Sequence, residues 1–181
     1  MLTLIKPAGI EVVSLEEVKA QLRLDHVYED EYLLSLIQAS TNLVEDYLGR
    51  SLISQTWQLI HHQLIEDGQK ELTEIYLPRP SLIEVLSVCS VRPNNIKHPI
   101  KRYMIETAHS LPKLVCQRSL GVVEVIYRAG YGDYPKHIPS SIRQAILLSV
   151  ADFYENRANS SIQNQTVFQA LLAPHRIIRM G

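Results

Sequence analysis

VIYRAGYGDYPKHIPSSIRQAILL, Val125–Leu148, holds an apolar run, a Gly-x-Gly and the start of a helical pattern within twenty-four residues. Its reading decides the fold. A dinucleotide site would need a third glycine to bring the helix N-terminus against a pyrophosphate, and a P-loop would need Gly-Lys-Ser/Thr. Neither follows Gly130 and Gly132. Tyr134-Pro135 and Ile138-Pro139 intervene instead, and each proline holds the residue before it in extended geometry. Pro139 or Ser140 can open a helix, because the amide that proline lacks would have no intrahelical partner there. The stretch therefore predicts a strand handed over to a helix through a structural corner.

Downstream, Ile142, Ala145, Ile146, Ser149, Val150 and Phe153 recur at helical period and predict a helix ending near Asn156 or Arg157. The polar ANSSIQNQ that follows reads as a loop. VFQALLAPHRIIRMG reads as a short apolar turn and a tail that mixes hydrophobic and basic residues.

Upstream, Gly121–Arg128 closes a block of short runs rich in Val, Ile, Thr, Tyr and Trp, divided by EDGQ, PRPS and RPNN. Its strand candidates are the run around Trp57 and Leu59, then Leu72–Leu77, Leu82–Val91, Arg102–Glu106 and Gly121–Arg128. Before this block, Ser14-Leu15-Glu16-Glu17 has the form of a capping box, with Leu15, Val18 and Leu22 as the stripe of a first helix. A longer helix should start near Asp30, where Glu29 and Glu31 also suit the positive end of a helix dipole. Leu33, Leu36, Ile37, Leu43, Val44, Tyr47 and Leu48 carry its stripe, and Gly49 is its natural stop. The predicted class is α+β: a small helical bundle of two N-terminal helices plus one C-terminal helix, with an inserted antiparallel β lobe and a C-terminal arm. In one domain spanning 1–181, residues 1–50 form the helical part, 51–128 the β lobe, 129–157 the helix and 158–181 the loop and arm.

The 181 residues suffice for one domain with a real core, and 46% hydrophobic against 20% charged residues describes a globular chain. A formal net charge of -1 leaves no global basic field to hold nucleic acid or an acidic membrane. The two cysteines, Cys89 and Cys116, are too few for a disulfide framework and lack the spacing of a zinc knuckle. MLTLIKPAG lacks the form of a signal peptide, and no apolar run approaches a membrane span, so synthesis in the cytoplasm is expected.

No catalytic, cofactor or metal site is expected. On a strand, His61 and His62 point to opposite faces and could hardly share a metal. The cluster Glu29, Asp30 and Glu31 is explained by a helix start, and Asp152 and Glu155 near Arg157 by a solvated helix face. No serine has a nucleophile elbow, and neither cysteine lies in a histidine-paired motif. Two other classes compete: a small regulatory or nucleic-acid-binding module, which lacks a basic face, and a hydrolase using His61 or His62 with Glu71 or Glu74. The C-terminal tail is the remaining candidate. Leu171, Leu172, Ile177 and Ile178 interleave with Arg176 and Arg179, a pattern that can fold onto its own core or dock on a partner.

In order along the chain, VSLEEVKAQLRLDHVYEDEYLLSLIQASTNLVEDYLGRSLISQTW, LPRPSLIEVLSV, VIYRAGYG, IPSSIRQAILLSVADFYENR and ALLAPHRIIRM resemble segments of the head-tail connector family. These adaptor or head-completion proteins serve tailed bacteriophages and related gene transfer agents. Residues 94–118 carry little match, and His175 stands where relatives often have Tyr before the arm's first arginine. The resemblance implies a structural protein in the virion, at the capsid-tail junction. There it would form a homo-oligomeric ring, expected to be twelve-fold, beneath the portal protein, which extends the channel for double-stranded DNA without sequence-specific binding. A tail-side stopper or tail terminator protein would meet the other side, with no membrane and no cofactor involved. Leu171, Leu172, Pro174, Arg176, Ile177, Ile178 and Arg179 are the expected arm contacts to the portal or a neighbouring subunit.

Overall fold

The computed structural model describes residues 1–62, 72–92, 95–107, 111–117, 121–156 and 165–177. It divides into two compact units, each built from two separate stretches of chain. A β unit comprises Met1–Ala8 and Ser54–Tyr131, and a helical unit comprises Gly9–Ile53 and Gly132–Gly181.

The helical unit starts at α1 (Leu15–Leu22), where the capping box forms in full. The Ser14 Oγ accepts from the Glu17 amide at 3.2 Å, and Glu17 accepts from the Ser14 amide at 2.9 Å. The helix ends on Arg23 in the left-handed region, φ 57°. In α2 (Asp30–Leu48), Leu33, Ile37, Val44 and Leu48 are buried at intervals that keep them on one stripe, and Gly49 ends the helix at φ 69°. Asp30, in the first turn of α2, pairs with Lys19 of α1 at 2.5 Å. In α3 (Ser140–Glu155), Ile142, Ala145, Ile146 and Val150 are buried, and α2 and α3 pack together with α1 against both. Arg143 of α3 is bonded to Glu17 of α1. A fourth helix, α4 (Gln165–Leu172), lies on α3 and continues into a 3-10 turn at Ala173–His175. The sequence reading of this segment as a short apolar turn was thus too modest. It is a two-turn helix, held by the burial of Phe168 and Leu172.

Gly132 resolves the reading of the Gly-x-Gly. It sits at φ 149°, in the range that side chains disfavour, and its backbone forms an isolated bridge with Ile53. A Cβ placed on it would come within 2.3 Å of the His137 ring. The bare face of this glycine therefore admits His137 of its own chain, and the motif is a packing corner. Pro139 follows, its carbonyl accepting from the amides of Ile142 and Arg143 in the first turn of α3.

Among the described residues, the β unit is a sandwich of eight strands. One sheet runs β1 (Leu2–Lys6), β2 (Gln55–His62), β8 (Val122–Ala129), β4 (Leu82–Val91), β5 (Lys97–Pro99); the other runs β3 (Leu72–Tyr76), β7 (Lys113–Gln117), β6 (Tyr103–Glu106). Every pairing is antiparallel. Alternate residues point inward, so Trp57, Leu59, Val123, Val125 and Tyr127 of one sheet join Ile75, Leu114 and Cys116 of the other in one core. Burial pushes the Tyr127 phenol well above its usual range, keeping it a neutral donor, and it gives its proton to the Pro78 carbonyl at 2.7 Å. Beside it, Arg79 lies over the Trp57 ring. The sheet spans more than the expected 51–128, because the N-terminal residues add the edge strand β1. Met1 and Ile60 exchange both main-chain bonds, at 2.7 and 2.8 Å.

The candidate functional site: the C-terminal arm and the free surfaces of the β unit

The arm begins at α4 and is bound to its own helical unit. Leu172 has no exposed surface, and Phe168 is buried beside it with its ring edge-on to Tyr47, centroids 5.6 Å apart. The Arg176 guanidinium lies over the other component of this stack, 5.0 Å from the Tyr47 centroid. Main-chain groups complete the attachment. Arg50 Nε donates to the His175 carbonyl at 2.8 Å, and the Ile177 amide donates to the Leu48 carbonyl at 3.2 Å. Leu48 ends α2, so its carbonyl is one of the four that a helix leaves unpaired at its C-terminus. The His175 ring meets Ser141 in the first turn of α3, Nε2 to Oγ 2.9 Å.

The seven arm residues expected from sequence therefore fall into four groups. Leu172 is consumed by its own core, which leaves it no surface for a partner; an apolar residue that looks available in a tail is here a helix anchor. Leu171 and Ile177 are half-buried, and Pro174 and Arg176 are exposed. Ile178 and Arg179 lie outside the described residues. Sequence reading missed Tyr47, Arg50 and Ser141, which receive the arm. An arginine placed just after the Gly49 stop was the available signal, since it can reach carbonyls past a helix end.

A concavity of about 630 Å³ lies on the outer face of the five-stranded sheet, lined by Ile60, His62, Arg92, Lys97 and Glu124 among others. Glu124 is buried but fully engaged. Lys97 Nζ reaches its two oxygens at 2.7 and 2.8 Å, and Gln58 Nε2 donates at 2.6 Å. It is a paired structural carboxylate, with no lone acid poised for proton transfer. His61 is half-buried and His62 exposed, at the end of β2. Burial, the Met1 amino group and His62 together hold the His61 imidazole below its ordinary pKa. Glu71 lies outside the described residues, and Glu74 is on β3 in the other sheet, bonded to Lys113 at 3.2 Å. Among the described residues, no three His, Cys, Asp or Glu side chains are grouped to hold a metal. No described helix is long and apolar enough to cross a membrane.

On the outer face of the three-stranded sheet, Lys113 of the central strand stands between Glu74 and Glu106 of its two neighbours, at 3.2 and 3.0 Å. Two carboxylates share one ammonium, so this triad carries one net negative charge. Leu72, Tyr76 and Met104 surround it, all exposed.

Three solved structures share this fold along the whole chain. A chain in the neck of an empty gene transfer agent particle, computed with C6 symmetry, superposes with a TM-score of 0.83 at 22% identity, covering 100% of this chain and 97% of its own length. One from the virion of the native particle gives 0.83 at 21% identity, and one from the native neck computed with C12 symmetry gives 0.78 at 20%, each with the same coverage. No curated protein sequence matches the chain. The family described as head completion protein matches it over residues 11–170, from ahead of α1 to the last turns of α4. The chain belongs to the head completion protein family.

Proposed function

We propose that this protein is a structural head-tail connector of a tailed phage or gene transfer agent. Copies form a ring beneath the portal protein at the capsid-tail junction, extend the DNA channel and offer a surface to the tail-side stopper or terminator protein. The observation that carries this reading is the family match, which takes in α1 to α3, most of α4 and all of the β unit after β1. The end-to-end likeness to chains of particle necks supports it. The role needs no chemistry. A translocating duplex is best served by a wall that does not grip it, because each phosphate neutralised by Lys or Arg adds affinity; a net charge of -1 fits that requirement.

Within this reading the arm docks on the portal or a neighbouring subunit through Leu171, Pro174, Arg176, Ile178 and Arg179. Leu172 and Ile177 fix its root to α2 and α3. The ring is expected to be twelve-fold. Quantitative mass spectrometry of DNA-filled particles tests the proposal: a ratio to the portal subunit near one to one is expected, and absence from intact particles overturns it.

A further inference from the structure

The β unit treats its sheet edges unequally. At β5 the pairing phase follows from two bonds, Arg92 amide to Ile96 carbonyl and Ile100 amide to Val88 carbonyl. Residues that face the free edge are then Lys97 and Pro99. A proline with no amide and a lysine close this edge to another strand. The opposite edge of the same sheet is open. Since Met1 and Ile60 form a bonded pair, Leu2 and Leu4 turn their amides and carbonyls away from β2. Leu4 and Ile5 are 41% and 49% exposed there, and Lys6 has no ion-pair partner among the described residues.

The second sheet has a matching edge. Leu77 donates to the Pro112 carbonyl, which sets the phase of the β3–β7 ladder and leaves the backbone groups of Leu72, Glu74 and Tyr76 facing outward from β3. By the same phase β6 turns only Tyr103 and Ile105 to its own free edge. Thus β3 offers three outward backbone positions and the exposed Leu72 and Tyr76, beside the net negative charge of the Glu74–Lys113–Glu106 triad.

We propose that β1 of one copy adds to β3 of a second copy of this chain, so that neighbouring subunits are joined by a continuous strand ladder. Three observations select this occupant. Both strands are five residues long and open on one side among the described residues, each edge carries exposed aliphatic or aromatic side chains, and Lys6, without an ion-pair partner among the described residues, is complementary to the Glu74–Lys113–Glu106 triad. The contact is heterologous, β1 against β3, and such contacts close into rings when the rotation permits. Main-chain bonds supply affinity and the charge fixes partner choice. The inference rests on the ring reading for its biological setting, while its chemistry is testable on the pure chain.

Sedimentation velocity over a wide concentration range, on the full chain, is the experiment. Leu4→Pro removes an amide that β2 does not use, so it should leave the melting curve near wild type and weaken self-association about tenfold or more. Lys6→Glu and Glu74→Lys should each weaken it, and the double variant Lys6→Glu/Glu74→Lys should recover most of the loss; Glu106→Lys in place of Glu74→Lys should give less recovery with Lys6→Glu. Wild-type association in Leu4→Pro overturns the proposal, as does failure of the double variant to recover. A wild-type chain that stays monomeric at every concentration also overturns it, without touching the connector reading, which particle stoichiometry decides separately.

Discussion

Arg50 and His175, 125 positions apart in sequence, are joined by one hydrogen bond from the arginine Nε to the histidine main-chain carbonyl at 2.8 Å. The acceptor is backbone, so the bond holds the path of the arm whatever side chain stands at 175. Replacing Arg50 with Ala should free the root of the arm at a cost of about 1.5–3 kcal/mol, the range for bonds involving a charged donor. Hydrogen exchange should show faster exchange at the Ile177 amide and along α4, with the β unit unchanged.

Leu172→Ala should be more damaging, because it empties a site with no exposure inside the helical unit. A loss of about 2–5 kcal/mol is expected in denaturant unfolding. Leu171→Ala, at a half-buried position on the same helix, should cost clearly less and should act instead on particle assembly. Equal losses from the two variants would contradict the placement of α4.

Gly132→Ala should destabilise the corner before α3, since it meets both an unfavourable φ and the His137 ring. Strain of this kind costs about 1–3 kcal/mol. The double variant Gly132→Ala/His137→Ala should regain the part due to the clash and none of the part due to the backbone, which thermal unfolding of Gly132→Ala, His137→Ala and the double variant can separate.

The sign of the acid response follows from His61. Its folded-state pKa lies below the ordinary 6.5, chiefly through burial, so between the two values the unfolded chain binds more protons than the folded one. The contribution is present in full above pH 6.5 and is lost as pH falls through the folded pKa. His61→Asn should flatten that part of the stability profile, measured by denaturant midpoints from pH 7 down to 5.

The helices α1, α2 and α3 could be read almost residue by residue because their determinants are local. Ser14 and Glu17 are three apart, Gly49 is the next residue after α2, and Pro139 stands against the first turn of α3. Five of the strands, β2, β3, β4, β6 and β8, were visible as β-branched and aromatic runs. What escaped was whatever depends on a distant partner. Leu2–Lys6 becomes a strand only because Gln55–His62 lies beside it, and Lys97–Pro99 has no apolar pattern of its own. The division into five strands and three is likewise invisible to periodicity. In the arm, periodicity showed apolar residues but could not tell Leu172, which its own chain buries, from the exposed Pro174 and Arg176. That difference is made by Tyr47, Phe168 and Arg50, contributed by two separate stretches of chain.

Each unit is assembled from two non-adjacent stretches, 1–8 with 54–131 and 9–53 with 132–181. On the ribosome, β1 emerges before α1 and α2 yet waits for β2, which follows them, and α2 emerges long before α3 can cover it. Such long-range closure slows folding. It also makes a shortened copy conspicuous: one that stops before Ser140 lacks α3, which packs against α2, and leaves the apolar stripe of α2 bare.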